Sequence, residues 1–162
     1  MKASPTPTAG AIDCDIHPSV PSMKALLPYM AEHWRDTIVQ RGVHDLETIA
    51  FPKNAPMTAR PDWRPEKGWP ASSLAAVQSQ ALDPFATSIA ICNCLYGVQL
   101  LMSEDMAAAF ANAVNHWMAA EFLGKDPRLR ASIVIPTQNV EMAVAEIERW
   151  ADDKRFVSVL ML

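Results

Sequence analysis

With 162 residues, half of them hydrophobic and a fifth charged, the chain has the make-up of a one-domain globular protein with a substantial core. Its 14 basic and 18 acidic residues leave a net charge of −4, mixed along the chain rather than blocked, which excludes a basic nucleic-acid-binding face. No apolar run reaches the roughly 18 residues that span a bilayer, and residues 1–10 lack the apolar stretch of a secretory leader.

Residues 1–10, rich in Pro, Ser and Thr, read as a flexible tail. Residues 11–16 form a short strand, ended by His17-Pro18. From 22 to 40 the apolar positions Met23, Leu27, Met30, Trp34 and Ile38 fall at helical spacing, with Pro28 kinking or splitting the helix. Residues 51–70 carry Pro52, Pro56, Pro61, Pro65 and Pro70 and read as a loop insertion of the kind that serves as a lid or binding loop. A helix over 72–82 closes at Asp83-Pro84, and an apolar strand follows over 88–95. Ser103 is placed to cap the next helix, with Glu104 and Asp105 favouring its dipole; Met106, Phe110, Ala113 and Trp117 make its apolar stripe, which continues to Leu123. A strand over 130–135 stops at Pro136. Asn139 caps a helix whose buried face is Val140, Ala143, Val144, Ile147 and Trp150 or Ala151, and a strand over 156–162 completes the series.

Apolar strands separated by amphipathic helices indicate a parallel sheet covered by helices, with right-handed crossovers. Two architectures fit, an open doubly wound sheet and a barrel. No glycine-rich phosphate loop follows any strand, and five glycines leave little material for one, which weakens a nucleotide-binding fold. Four strands are half of a (β/α)8 barrel, which takes about 250 residues. A chain that stops on a buried strand without a covering helix is expected to be truncated. The expected fold is therefore α/β, the N-terminal half of a (β/α)8 TIM barrel, with residues 11–162 as the partial barrel domain. Such a half leaves both sheet edges unpaired, an association hazard.

Three cysteines, Cys14, Cys92 and Cys94, lie in apolar strand-like segments and read as reduced, buried thiols in a cytoplasmic protein. Cys92-Asn93-Cys94 lacks the two-residue gap of zinc ribbons. The segment Ile12-Asp13-Cys14-Asp15-Ile16-His17-Pro18 carries the chemistry. Strand alternation would put Asp13, Asp15 and His17 on one face and Cys14 and Ile16 on the other. Asp15 and His17 then end the strand at the rim where barrel enzymes place catalysis, and a carboxylate and an imidazole two residues apart can reach one divalent ion. The plainer alternative is an exposed Asp beside a His that caps a turn. His33 and His116 read as helix residues and His44 as part of a short polar stretch. Trp63 and Trp69 either line the mouth of a pocket for a planar acid or pack the loop. Met23, Met30, Met102, Met106, Met118 and Met142 read as helix-face core.

Residues 12–18 resemble the first-strand motif of the amidohydrolase-related metal-dependent barrels, in the branch that holds aminocarboxymuconate semialdehyde and hydroxybenzoate decarboxylases. The same branch is resembled by Ala113-Val114-Asn115-His116-Trp117, by Asp126-Pro127-Arg128-Leu129-Arg130, and by Ile133-Val134-Ile135-Pro136-Thr137-Gln138 leading into Glu141, Ala143, Glu146 and Arg149. The resemblance runs in order from about Ala11 to the last residue. It implies that Asp15 and His17 are metal ligands for zinc or manganese. Many relatives carry His-x-His there and some decarboxylases an acidic first residue, so Asp15 favours a non-oxidative decarboxylase of an aromatic or related carboxylic acid. A hydrolase of an ester, lactone or amide is the alternative, and an inactive fragment without a complete site is the third reading. The family's remaining His ligand and its catalytic Asp would lie beyond Leu162. A small-molecule substrate and a homo-oligomeric intact protein are also implied.

Overall fold

In the computed structural model, which describes residues 10–46 and 59–161, four parallel strands form one sheet in the order β1-β2-β3-β4. They are β1 (Ala11–Ile16), β2 (Thr87–Cys92), β3 (Leu129–Val134) and β4 (Phe156–Leu160). Parallel neighbours need a crossover, and each crossover here carries a helix. Between β1 and β2 come α1 (Glu32–Gln40) and α2 (Leu74–Val77), which continues as a π-type turn over Gln78–Leu82. Next is α3 (Glu104–Met118), also extended by a π-type turn (Ala119–Leu123), and α4 (Val140–Trp150) joins β3 to β4. Strand order never reverses, whereas a doubly wound sheet must reverse it. The four units wind in one direction, as in part of a (β/α)8 barrel.

The core lies between the sheet and its helices. Ala107, Ala111, Ala113 and Val114 of α3 are wholly buried, and their small side chains let the helix seat Phe110 among them. Ala90, Cys92, Leu129 and Ala131 are the facing strand residues, all at 0% exposure. Burying a side chain such as Phe110 contributes about 1.5–3 kcal/mol. The starts of α2, α3 and α4 follow the capping rule: the amides of Ala76, Met106 and Met142 donate to the side chains of Ser73, Ser103 and Asn139 at 3.2, 3.3 and 3.0 Å.

Several boundaries differ from the sequence reading. The segment 22–40 is two 3-10 turns (Met23–Ala25 and Leu27–Tyr29) followed by α1, with the chain extended at Met30 and Ala31. Pro28 has no N–H for a continuous helix, yet Met23, Met30 and Ile38 still bury. In α4, Val140 and Val144 are 72% and 46% exposed, and Glu146 takes the buried face with Ala143 and Trp150. Glu146 is tolerated there because Asn115 Nδ2 and Trp150 Nε1 donate to its Oε1 at 2.9 and 2.7 Å and Arg149 Nε donates to Oε2 at 3.2 Å. Asn115 in turn donates to the Val134 carbonyl at 2.8 Å and accepts from its amide at 2.9 Å, closing the end of β3.

Cys14 is exposed, against expectation, as is Ile12 two residues before it, so this face of β1 is the uncovered one. Cys92 and Cys94 are buried, and desolvation pushes both thiols up to about 12, which keeps them unreactive. Met102 is 98% exposed in the turn before α3, whereas Met23, Met30 and Met118 are core. Most of the tail at 1–10, the loop stretch 51–58 and Leu162 lie outside the described residues. Within 59–70 the chain makes one 3-10 turn, Pro61–Trp63. No helix among the described residues is long and apolar enough to cross a membrane.

Candidate functional site

β1 does not alternate cleanly. Asp13 is in register with Ala90 and Ile16 with Cys92, so three steps along β1 oppose two along β2. That is a β-bulge, which re-aims the residues after it. Ala90 and Cys92 both face the core, so Asp13 shares its face with Ile16, three positions on, and the simple alternation is broken. Burial and then the Asp13 charge are what raise the Cys92 thiol. The Asp13 carboxylate also accepts the Asp15 amide at 3.0 Å, wrapping the bulge. Asp13 thus meets Asp15 through the Asp15 backbone amide, while Asp15 and His17 approach each other through their side chains.

Asp15 and His17 do converge, with Oδ1 of Asp15 at 3.5 Å from Nε2 of His17; their side chains are 72% and 30% exposed. Both lie at the C-terminal end of β1, the catalytic rim of a barrel. His17 Nδ1 contacts the Asn93 carbonyl at 3.1 Å. A carbonyl oxygen only accepts, so the contact assigns a proton to Nδ1, and in that tautomer of the imidazole Nε2 is the atom with the lone pair. Metal-binding histidines are held this way by the nitrogen that does not bind.

Asn93, just past β2, is the residue the sequence reading missed. Its Nδ2 donates to Asp15 Oδ1 at 3.0 Å and to the Cys14 carbonyl at 3.3 Å, and its amide N–H donates to the Ile16 carbonyl at 2.7 Å. Ser132 of β3 donates to Asn93 Oδ1 at 2.5 Å, and Ser158 of β4 lies 2.7 Å from Ser132. One signal was readable: Ser132 and Ser158 are lone small polar residues inside otherwise apolar stretches of β3 and β4.

A cavity of about 220 Å³ opens beside the pair, lined among others by Asp13, Asp15, His17, Arg60, Trp63 and Gln80. Trp63 meets Phe85 edge-on at 6.4 Å, and the Arg60 guanidinium sits 4.8 Å over its ring while ion-pairing with Asp62 at 2.6 Å. Trp69 is partly buried and does not line this cavity. His33 and His44 are exposed and far along the chain from the pair's contacts. His116 donates to or accepts nothing at the rim: its Nδ1 meets the Asn112 carbonyl at 2.9 Å and its ring packs edge-on against Trp150, a helix-packing role.

The pair fits a divalent cation in its donor chemistry. Zinc ligands about 2.1 Å from the ion at the tetrahedral angle stand about 3.4 Å apart, close to the 3.5 Å between Oδ1 and Nε2. Among the described residues, no group of three or more His, Cys, Asp or Glu side chains is gathered to hold a metal, so this is two donors rather than a closed cage.

Residues 12–162 match the family described as Amidohydrolase. No curated protein matches the chain. The family match begins on β1, takes in the Asp15 and His17 pair and runs through β4, and on that ground the chain belongs to the amidohydrolase family.

Proposed function

We propose that Asp15 and His17 share a divalent cation, zinc or manganese, in a non-oxidative decarboxylase of an aromatic or related carboxylic acid. One observation carries the reading. With the ring proton held on Nδ1, two lone-pair-bearing atoms face each other at 3.5 Å, an arrangement that a cation between them satisfies. When bound, the cation supplies electrostatic stabilisation of charge on a substrate oxygen. The chain's own residues do the rest of the work assigned to this rim. The Asn93 carbonyl keeps the imidazole turned with Nε2 toward the cavity, and the Asn93 amide holds the carboxylate. Trp63 offers a flat apolar wall to a planar substrate, and Trp69, in the same segment, is assigned to loop packing. The acidic residue at position 15, in place of a histidine, is what favours carboxylate loss over hydrolysis.

The 72% exposure of Asp15 favours a second reading, hydrolysis of an ester, lactone or amide, because water reaches the donor pair freely. Product analysis separates the two. The metal-replete full-length protein is offered hydroxybenzoate-type acids and, separately, lactones and amides. Release of CO2 from the acids supports the first reading, and a water-split product supports the second. Turnover of neither class would leave the chain a non-catalytic member of its family.

A further inference from the structure

We infer that Asn93 is the positioning residue for both donors of β1, and that Ser132 and Ser158 dictate which way its amide points. This rests on the reading of Asp15 and His17 as cation ligands. An amide group is symmetric in shape but not in hydrogen bonding, so its orientation is set by its neighbours. Here the Cys14 carbonyl and the Asp15 carboxylate both accept, and Nδ2 meets them at 3.3 and 3.0 Å, using both its hydrogens. Oδ1 must then face β3, where the Ser132 hydroxyl donates to it at 2.5 Å. A hydroxyl has a single hydrogen, so Ser132 can only accept in its 2.7 Å contact with Ser158. The direction is thereby fixed along the whole row. Ser158 donates to Ser132, Ser132 to Asn93, and Asn93 to Asp15, across all four strands.

Asn93 holds the two donors by different means. Its side chain restrains the carboxylate, and its backbone carbonyl restrains the imidazole. Replacing the side chain therefore releases Asp15 while His17 keeps its tautomer. The support lies outside the donor pair, where such partners commonly change metal affinity 10- to 100-fold.

The test is zinc affinity of the full-length protein, measured by chelator competition, alongside melting of the metal-free form and the visible spectrum of the cobalt-substituted form. Asn93→Ala is expected to weaken zinc binding by about 10- to 100-fold and to alter the cobalt bands. Ser132→Ala, which frees the amide to turn, is expected to cost roughly tenfold, and Ser158→Ala less. Ser132→Thr keeps the hydroxyl on a strand that accepts β-branching and is expected to restore parental affinity. In all four the metal-free melting temperature moves by no more than a few degrees. Parental affinity in Asn93→Ala and Ser132→Ala overturns the inference. So does failure of Ser132→Thr to rescue, or a loss of affinity that only tracks a loss of folding. Asp15→Asn and His17→Ala separate the two levels: if they lose zinc while Asn93→Ala does not, the positioning role alone falls. If they bind zinc as the parent does, the ligand reading falls and this inference with it.

Discussion

At the N-terminal ends of β3 and β4 the chain uses one device twice, Asp126-Pro127-Arg128 and Asp153-Lys154-Arg155. In each, the aspartate Oδ1 accepts the arginine backbone amide at 3.0 Å, and the guanidinium closes on Oδ2 at 2.7 and 2.6 Å. The arginine carbonyl then takes the first ladder bond from the preceding strand, Ala90 to Arg128 and Ala131 to Arg155, each at 2.9 Å. Arg128 reaches Asp83 as well, tying the end of α2 to the start of β3. At the opposite ends of the strands no arginine clamps the carboxylate of Asp15 among the described residues; the Asn93 amide donates to it, and a cavity opens beside it. Charge neutralised within the chain organises the strand starts, while charge left open at the strand tips is available to a ligand. A barrel divides stability and chemistry between its two faces in the same way.

The largest expected effect breaks the closed end. Asp126→Asn leaves Arg128 beside a neutral amide in a site where Asp126 is only 3% exposed, and is expected to cost about 3 kcal/mol in chemical denaturation. It is expected to leave zinc affinity as it was. Asp15→Asn and His17→Ala test the open end: zinc affinity is expected to fall about 100-fold, near 2.7 kcal/mol, with stability within about 0.5 kcal/mol of the parent. If either also unfolds the protein, the division between the two ends fails.

Acid sharpens the same contrast. The Arg128 and Arg155 guanidinium groups hold the Asp126 and Asp153 carboxyls below the usual carboxylate range, Asp126 further than Asp153. A depressed folded-state value means stability that is complete above the unfolded value, about pH 4, and is lost as pH falls toward the folded one. Denaturation midpoints followed from pH 5 to pH 2 should therefore drop, and Asp126→Asn should flatten that decline. Asp153→Asn, at a more open clamp, is expected to cost about 1 kcal/mol. Smallest of all, Met102→Ser at a fully exposed position is expected to change stability by less than about 0.5 kcal/mol.

How legible all this was differs by element. Ser103 and Asn139 cap their helices where local chemistry placed them, because a cap needs only its own next three residues. In α4 an apolar stripe read by composition put Val140 and Val144 inward, but hydrogen bonding from Asn115 and Trp150 made Glu146 the better buried residue. That Asp15 and His17 sit together at the end of β1 was legible; their contacts with Asn93 were not, since the contacting residues are 76 and 78 positions apart.

Taken alone, the sequence determined the alternation of strands and helices and their order, which follow from periodicity and capping within a few residues, and it put a carboxylate and an imidazole two residues apart at the end of the first strand. Only the tertiary structure decided that a bulge in β1 breaks the simple alternation between Asp13 and Ile16, and that Asn93, Ser132 and Ser158 line up behind the Asp15 carboxylate. Register between strands is a pairing of distant residues, and a single extra residue in β1 changes which side chains share a face.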